Sequence, residues 1–271
     1  MSSARKIRRK IMDNLQKIAL LIDADNTQIN KIEAVIREIS ARGRIVVKRA
    51  YGNWKKAGLK NWEEEIKKLA INATQQFDYV SGKNATDMAL VIDAMDMLYK
   101  DIYDAFVIVA SDSDYTPLAI RIHESGVYVI GVGEKKTPAP FRNACDEFIF
   151  LENLDAEDEV KKTSKSRKKK SSSAKANSKK KAVEETIEET SDLDPVHELL
   201  RIACDKYSDD DGYVMISSAG AYIKRAMPDF DSRNYGYSKL LKLISDFPDR
   251  YEVKSIKKSN NSSIVTYTCK E

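Results

Sequence analysis

The sequence predicts an α/β domain with a parallel sheet and helices on both of its faces, followed by a small α+β domain. Three features of the chain support this fold class. Short apolar runs alternate with longer amphipathic stretches up to about residue 154, a lysine-rich tract then interrupts the pattern, and a short mixed segment follows. A length of 271 residues also suits two domains, since one domain usually has about 100 to 200 residues.

Six apolar runs are predicted to form the strands of the first domain. Runs with apolar residues at consecutive positions are typical of parallel strands that are buried on both faces. In chain order they are IALLID (18–23), RIVVKRAY (44–51), a weaker FDYV (77–80), AFVIVAS (105–111), VYVIGVG (127–133) and EFIFLE (147–152).

The stretches between these runs are amphipathic and are predicted to form helices. Gly43 and Gly126 follow two of them, at positions where the C-cap of a helix favours glycine. Because helices and strands alternate, the helices should cover both faces of a central parallel sheet. The predicted helices span 28–41, 61–76, 86–100 and 115–125.

A basic tract separates the two predicted domains. Residues 161–181 contain 11 Lys or Arg side chains and no acidic one, and an acidic stretch follows. Such a composition cannot bury a core, so we expect a disordered linker over 155–190, between domains at 1–154 and 191–271. The tract serves either as a solubilising spacer or as a basic segment that attracts phosphate backbones of any sequence. Its place between two folded domains favours the second interpretation.

The segment after the linker predicts three helices and a β-hairpin, which is the winged-helix arrangement. DPVHELLRIACDKY predicts the first helix, with Pro195 in its first turn. SSAGAYIKRAM predicts the second, capped by Ser217 or Ser218, and a third is predicted at about 235–246. YEVKSIKKSNNSSIVTYTCK predicts a hairpin with a polar turn.

Composition excludes several classes of protein. No apolar run approaches the roughly 18 residues of a membrane span, so a transmembrane protein is not expected. Three cysteines, far apart in the sequence and odd in number, predict reduced thiols in a cytoplasmic protein rather than a disulfide framework. Since the chain has two histidines, a histidine-rich zinc site or a Ser-His-Asp triad is disfavoured, and catalysis is expected to depend on carboxylates.

Four acidic residues are predicted to converge at one edge of the sheet. Asp23 ends the first strand, while Asp112 and Asp114 follow the fourth. If these strands are neighbours, their acids meet where open α/β sheets bind ligands, and Asp87 joins them from a helix N-terminus. A hard cation such as Mg²⁺ or Mn²⁺ would relieve the repulsion and would support hydrolysis of a phosphodiester. Asn26, just past the first acid, is placed to hold a phosphate oxygen or a water molecule.

Each of these acids also has an ordinary structural interpretation. Asp87 is favourable at a helix N-terminus, and Asp112 or Asp114 can cap the helix that follows. Taken singly, each acid is more readily explained in this way, whereas four acids at one edge favour a metal site. Asp93 and Asp96 do not share the face of Asp87 on the predicted helix and are interpreted as structural or solvent-facing.

Four motifs of the first domain resemble the NYN domains of the PIN-like nuclease superfamily. They are LLIDADN, GKNATDMALVIDAM, VASDSDYTPLAIRIHESG and FRNACDEFIFLE, and their order and spacing match over about residues 15–154. The resemblance implies a ribonuclease that depends on Mg²⁺ or Mn²⁺, with Asn26 at the asparagine position after the first acid. It assigns the metal-binding positions to four acids, Asp23, Asp87, Asp112 and Asp114.

The second domain is similar to OST-HTH/LOTUS domains in DDDGYVMISSAGAYIKRAMPDFDSRNYGYSKLLKLI and the YEV after it. This resemblance implies a winged-helix domain that binds single-stranded or structured RNA, or a protein partner such as a helicase. Residues 191–271 contain 12 basic and 13 acidic side chains, so a general attraction to phosphate is not expected. Solvated surface charge is the alternative for each candidate RNA contact, namely Arg233, Lys239, Lys242, Lys257 and Lys258.

Two other functions remain open beside a cytoplasmic ribonuclease. A non-catalytic RNA-binding or adaptor protein would retain the same acids for structural reasons. The spacing of Asp23, Asp25 and Thr27 after a hydrophobic strand also satisfies the nucleophile motif of haloacid-dehalogenase-like phosphatases, in which Asp23 would be phosphorylated. The lysine and the later acidic motif of those phosphatases do not occur in the expected context, which favours the ribonuclease.

Overall fold

The computed structural model describes most of both predicted domains. The chain divides into two compact units between Val160 and Lys161. The predicted linker, 155–190, lies outside the described residues except for its last two positions. The described parts of the chain are residues 15–78, 84–154, 189–257 and 263–270.

A parallel sheet forms the centre of the first unit. Its strands, within the described residues, are β1 (Leu15–Asp23), β2 (Gly43–Gly52), β3 (Asn72–Gln75), β4 (Ala105–Val109), β5 (Tyr128–Gly133) and β6 (Glu147–Phe150). They lie in the order β3-β2-β1-β4-β5-β6, and every neighbouring pair is parallel. The predicted parallel sheet is confirmed, with β1 and β4 side by side at its centre.

Two apolar clusters lie on opposite faces of this sheet. Ile18 and Leu20 of β1 belong to one cluster and Ala19 to the other, because successive side chains of a strand point to opposite faces. The first cluster packs against α1 (Ile32–Ser40) and α2 (Trp62–Leu69). The second packs against α3 (Ala85–Tyr99), α4 (Thr116–Glu124) and α5 (Ala139–Asn143). Helices therefore cover both faces, as predicted.

The prediction for the third strand is wrong. The strand is Asn72–Gln75 rather than FDYV (77–80), and the second helix ends at Leu69 instead of extending to residue 76. Because β3 is an edge strand whose side chains are exposed or half-buried, it has no apolar run to mark it. Phe77 and Asp78 follow the strand, and the last two residues of FDYV lie outside the described part of the chain.

Gly43 and Gly126 are glycines for different reasons. Gly126 follows α4 with a φ of +81°, a conformation that favours glycine, so the predicted helix cap is confirmed there. Gly43 is the first residue of β2, and a Cβ atom at this position would lie 1.9 Å from the carbonyl oxygen of Leu15. The prediction of a helix cap at Gly43 is wrong, since the close approach of β1 is what requires glycine.

The second unit combines helices with a small antiparallel sheet. Its elements within the described residues are α6 (Glu189–Tyr207), β7 (Val214–Met215), α7 (Ile216–Ala226), α8 (Leu240–Ser245), β8 (Tyr251–Lys257) and β9 (Ser263–Cys269). The sheet has the order β7-β9-β8, and both neighbouring pairs are antiparallel. These helices and the β8–β9 hairpin confirm the predicted winged-helix arrangement. None of the helices in the described parts of either unit is long and apolar enough to span a bilayer.

The ends of these helices differ from the prediction. Pro195 lies inside α6, because the helix begins upstream of it. Met215 is the N-cap residue of α7, and no side-chain hydrogen bond caps this helix, so the predicted serine cap is wrong. The third helix begins at Leu240 because Ser232–Tyr235 forms a separate 3₁₀ turn, which ends at Gly236 with a φ of +81°.

Two cysteines lie together in the second unit. The sulfur atoms of Cys204 in α6 and Cys269 in β9 are 3.0 Å apart, although 65 positions separate the residues in the sequence. Both are free thiols, and burial together with the neighbouring Cys204 raises the pKa of Cys269. The separation of Cys204 and Cys269 in the sequence gives no indication of this contact, and reduced thiols stay a prediction.

Candidate active site

The carboxyl ends of β1 and β4 lie side by side and bring predicted acids to one edge of the sheet. Ile22 of β1 pairs with Val109 of β4, which places the ends of the two strands next to each other. Asp23 is the last residue of β1, and Asp112 and Asp114 lie just beyond the end of β4. The adjacency that the sequence analysis required is thus present.

Asp23 is fully buried and only partly hydrogen-bonded. Its Oδ2 atom accepts a 3.0 Å hydrogen bond from the side-chain amide of Asn26, whereas its Oδ1 atom has no hydrogen-bond partner among the described residues. Burial raises the pKa of Asp23 to about 6; Asp87 and Asp25 raise it further, and the Asn26 hydrogen bond opposes them. Because a buried carboxylate oxygen without a partner is costly, this atom is a candidate cation ligand.

Asp87 lies in the first turn of α3 and faces the same edge. The hydroxyl of Tyr115 donates a 2.7 Å hydrogen bond to its Oδ1 atom. Burial raises the pKa of Asp87, and so do the nearby charges of Asp112, Asp114 and Asp25, whereas the Tyr115 hydrogen bond lowers it. Asp87 therefore lies near Asp112 and Asp114, and its own charge also raises the pKa of Asp23.

Asp112 and Asp114 serve local structure as well as the cluster. The Oδ1 atom of Asp112 accepts a 3.0 Å hydrogen bond from the backbone N–H of Asp114, which caps the 3₁₀ turn Ser113–Tyr115. The Oδ2 atom of Asp114 accepts a 2.7 Å hydrogen bond from the side-chain amide of Asn84. Asp112 thus caps this 3₁₀ turn, whereas the helix α4 that follows has Tyr115 as its N-cap and no side-chain cap, so the predicted helix cap is wrong.

Asp25 is a fifth acid of this cluster that the sequence analysis did not include. Its Oδ2 atom accepts a 2.7 Å hydrogen bond from the Thr86 hydroxyl and lies 3.3 Å from the ammonium of Lys56. Tyr115, whose sequence context is that of an ordinary packing residue, also contacts the cluster through Asp87. Asp25 alternates with Asp23 and could therefore point inward with it, but this pattern alone ranks it below the four predicted acids.

The cluster offers carboxylate oxygens as possible ligands. Carboxylate and amide oxygens are the ligands that Mg²⁺ and Mn²⁺ prefer, and the unpartnered Oδ1 atom of Asp23 is a buried acceptor that a cation would satisfy. In the described parts of the chain, no three His, Cys, Asp or Glu side chains are arranged to hold a metal as they stand. The acids as described therefore do not form a preformed metal site.

Asp93 of α3 lies outside this cluster. It accepts hydrogen bonds from the Arg49 guanidinium at 2.5 and 2.6 Å and from the hydroxyl of the buried Tyr51. This network ties α3 to β2. These contacts favour the structural interpretation of Asp93 over the solvent-facing one.

Comparison with known families agrees with both resemblances. The NYN domain matches residues 17–152, which is half of the chain, and the OST-HTH/LOTUS domain matches residues 191–263. The chain belongs to the NYN domain family. NYN domains are PIN-like nucleases and OST-HTH/LOTUS domains bind RNA, so the family favours a nuclease over a haloacid-dehalogenase-like phosphatase.

Similar solved structures add no functional information. A protein of unknown function from Vibrio parahaemolyticus is 16% identical over 52% of this chain and 96% of its own, with a TM-score of 0.44. An uncharacterised protein from Nitrosomonas europaea is 24% identical over 38% of this chain and 91% of its own, with a TM-score of 0.27. No curated protein matches the chain.

The OST-HTH/LOTUS domain presents two of the predicted RNA contacts on one helix. Lys239 immediately precedes α8, Lys242 lies within it, and both side chains are exposed. Arg233 is half-buried and forms a 2.6 Å ion pair with Asp231, so its charge is already partnered within the domain. Lys257 ends β8.

Two predicted contacts in the wing stay predictions without structural description. The side chain of Lys257 and the whole of Lys258 lie outside the described residues. The structure thus brings Lys239 and Lys242 together and leaves the wing lysines untested.

Proposed function

We propose that this NYN protein is a metal-dependent ribonuclease that hydrolyses RNA phosphodiester bonds. The observation that supports this most directly is the buried carboxylate of Asp23, which has one oxygen without a hydrogen-bond partner among the described residues and lies near the charges of Asp87 and Asp25. Uncompensated carboxylates at the carboxyl edge of a parallel sheet repel one another, and a divalent cation removes that cost. Membership of a PIN-like nuclease family supports the same reaction class.

Four acids would hold Mg²⁺ or Mn²⁺ in this proposal, namely Asp23, Asp87, Asp112 and Asp114. The chemistry that such a cation supplies is polarisation of a phosphoryl oxygen and activation of water for in-line attack. Asn26 is exposed and already donates a hydrogen bond to Asp23, so it is placed to orient a phosphate oxygen or a water molecule. Tyr115 orients Asp87 from the core of the domain.

The C-terminal domain would select the RNA. We assign the nuclease domain to 1–154, a basic tether to 155–190 and the winged-helix domain to 191–271, in a cytoplasmic protein. Lys239 and Lys242 are the proposed RNA contacts that the structure describes as exposed. A protein partner, such as a helicase, is the alternative ligand for this domain.

The test is cleavage of labelled single-stranded RNA and DNA by the purified protein with Mn²⁺, Mg²⁺ or EDTA. RNA cleavage that requires the cation and is lost in Asp112→Asn would support the proposal. Asp96→Asn is the matched control, because Asp96 is an exposed acid further along α3. If the wild-type protein binds RNA but never cleaves it in any cation, a non-catalytic adaptor is the better description.

A further inference from the structure

Two loops beside the acidic cluster are joined into one rigid surface. The loop after β2 and the end of β3 are linked by reciprocal side-chain hydrogen bonds: the amide of Gln75 donates to Asn53 at 3.1 Å, and the Trp54 backbone N–H donates to Gln75 at 3.1 Å. The Trp54 indole also donates to the carbonyl of Thr74 at 3.1 Å, and Asn53 donates to Asp78 at 3.3 Å. Side chains on these loops are thus held in place before any ligand arrives.

Phe77 lies on this surface with about half of its side chain exposed. The exposed fraction is 53%, and the ammonium of Lys55 lies 5.0 Å from the centre of the ring. A single exposed apolar residue is ordinary, but this one has the ammonium of a lysine over its ring. Among the described residues, Lys55 forms no ion pair with a carboxylate, so its charge is available to an anion.

The adjacent residues connect this aromatic to the acidic cluster. Lys56 follows Lys55 in the chain, and Asp78 follows Phe77. The ammonium of Lys56 lies 3.4 Å from the carboxylate of Asp78 and 3.3 Å from that of Asp25, which belongs to the cluster. The same loops therefore form the Phe77 surface and contact the carboxylates. A nucleotide bound at Phe77 would contact the same loop whose Lys56 reaches Asp25 of the cluster.

We infer that Phe77 and Lys55 bind one unpaired nucleotide of a single-stranded RNA substrate, with the base stacked on the ring and a phosphate beside the ammonium. An aromatic platform with a neighbouring cation is how proteins bind single strands with little sequence preference, because every base has a π-face. A base in a duplex is stacked on both faces and cannot bind in this way. The inference rests on the proposed function, since it names the substrate class of that site.

The test measures affinity rather than cleavage, so that it stands apart from the reaction. A fluorescent single-stranded RNA of about six nucleotides is titrated with the full-length protein carrying Asp112→Asn, which prevents turnover. Adding Phe77→Ala should weaken binding by about tenfold, whereas Phe77→Trp should restore it, because stacking on an aromatic ring is the interaction removed. Tyr99→Ala is the matched control, because Tyr99 is an exposed aromatic residue at the C-terminal end of α3.

Abasic oligonucleotides decide whether the contact is a stack. With an abasic nucleotide at the position that meets Phe77, the Phe77→Ala substitution should have no further effect, and scanning the abasic site along the RNA identifies that position. Lys55→Ala should reduce the slope of log affinity against log salt concentration by about one, the value for one released counterion. Two results would overturn the inference. One is an RNA affinity of the Phe77→Ala protein within twofold of that of the parent protein; the other is an equal loss of affinity on Phe77→Ala with every abasic RNA. If the wild-type protein cleaves no RNA but the base-dependent loss is found, the proposed function fails and the docking site stands.

Discussion

The hydroxyl of Tyr115 donates a 2.7 Å hydrogen bond to the Oδ1 atom of Asp87, from a ring that is fully buried under the acidic cluster. Burial and the charges of Asp23 and Asp87 raise the pKa of Tyr115, so it remains a neutral donor. Asp87, in the first turn of α3, is thereby held from the core side.

Removing this donor should weaken cation binding without unfolding the domain. We expect Tyr115→Phe to raise the Mn²⁺ concentration needed for half-maximal cleavage by about 10- to 100-fold, as for other groups that orient a metal ligand. The measurement is the cleavage rate against Mn²⁺ concentration. Tyr128→Phe is the control, a tyrosine of β5 remote from Asp87. An unchanged Mn²⁺ dependence in Tyr115→Phe would show that Asp87 needs no such orientation.

Asp93 should matter for stability and not for chemistry. Asp93→Ala leaves Arg49 and the buried hydroxyl of Tyr51 without their partner, and we expect a loss of about 1–3 kcal/mol in the free energy of unfolding. Urea unfolding followed by tryptophan fluorescence reports this domain alone, because both tryptophans of the chain, Trp54 and Trp62, lie in it.

The control for Asp93 is Asp96→Ala on the same helix, where the side chain is exposed and a change within about 0.5 kcal/mol is expected. If Asp93→Ala were as stable as this control yet inactive, Asp93 would belong to the active site and its interpretation as a structural residue would be wrong.

Gly43 should tolerate no side chain. A Cβ atom there would lie 1.9 Å from the carbonyl oxygen and 2.8 Å from the Cβ of Leu15, so Gly43→Ala must push β1 and β2 apart. We expect the free energy of unfolding, measured with urea, to fall by about 1–3 kcal/mol. Gly58→Ala, at a glycine with nothing within 4 Å of the added atom, is the matched control. Equal stability of the two variants would contradict the close approach of the strands.

His197 should make the stability of the OST-HTH/LOTUS domain depend on pH. Burial and the charge of Arg250 lower its pKa below the ordinary 6.5, with Asp194 acting in the opposite direction, and its ring contacts Tyr251 and Phe247. The folded domain thus binds this proton more weakly than the unfolded chain does. His197 therefore favours the folded state above about pH 6.5, and this contribution falls as the pH drops below that value.

Amide hydrogen exchange in β9 and α6 of the full-length protein measures this effect. Between about pH 7.5 and about pH 5.5, protection corrected for the intrinsic exchange rate should fall more in the wild type than in His197→Gln, which cannot titrate. The same fall in both proteins would assign the pH dependence to other groups.

The buried elements of this fold could be predicted, and an exposed edge could not. Strands β1 and β4 are apolar on both faces because helices cover both, and that is visible in the sequence. The edge strand NATQ exists because Arg49 and its neighbours pair with Asn72 and the residues after it, which is a long-range relation. No local pattern distinguishes it from the end of the preceding helix.

Some residues of the candidate site could likewise be predicted from the sequence, and others could not. Asp23 and Asp112 were predictable because acids directly after buried strands must lie at the carboxyl edge of the sheet. The donor role of Tyr115 was not, since a buried tyrosine shows its hydroxyl partner only in three dimensions. The contact of Cys204 with Cys269 likewise depends on how α6 packs against β9.

The central claim, that the acidic cluster binds a divalent cation through Asp23, is tested most directly by titrating the protein with Mn²⁺ and following the electron paramagnetic resonance signal of the free ion. We predict saturable binding to the wild type and to Asp96→Asn, and its loss in Asp23→Asn, which keeps the size of the side chain and removes its charge. Equal binding to wild type and Asp23→Asn, or no binding to the wild type with RNA present, would contradict the claim.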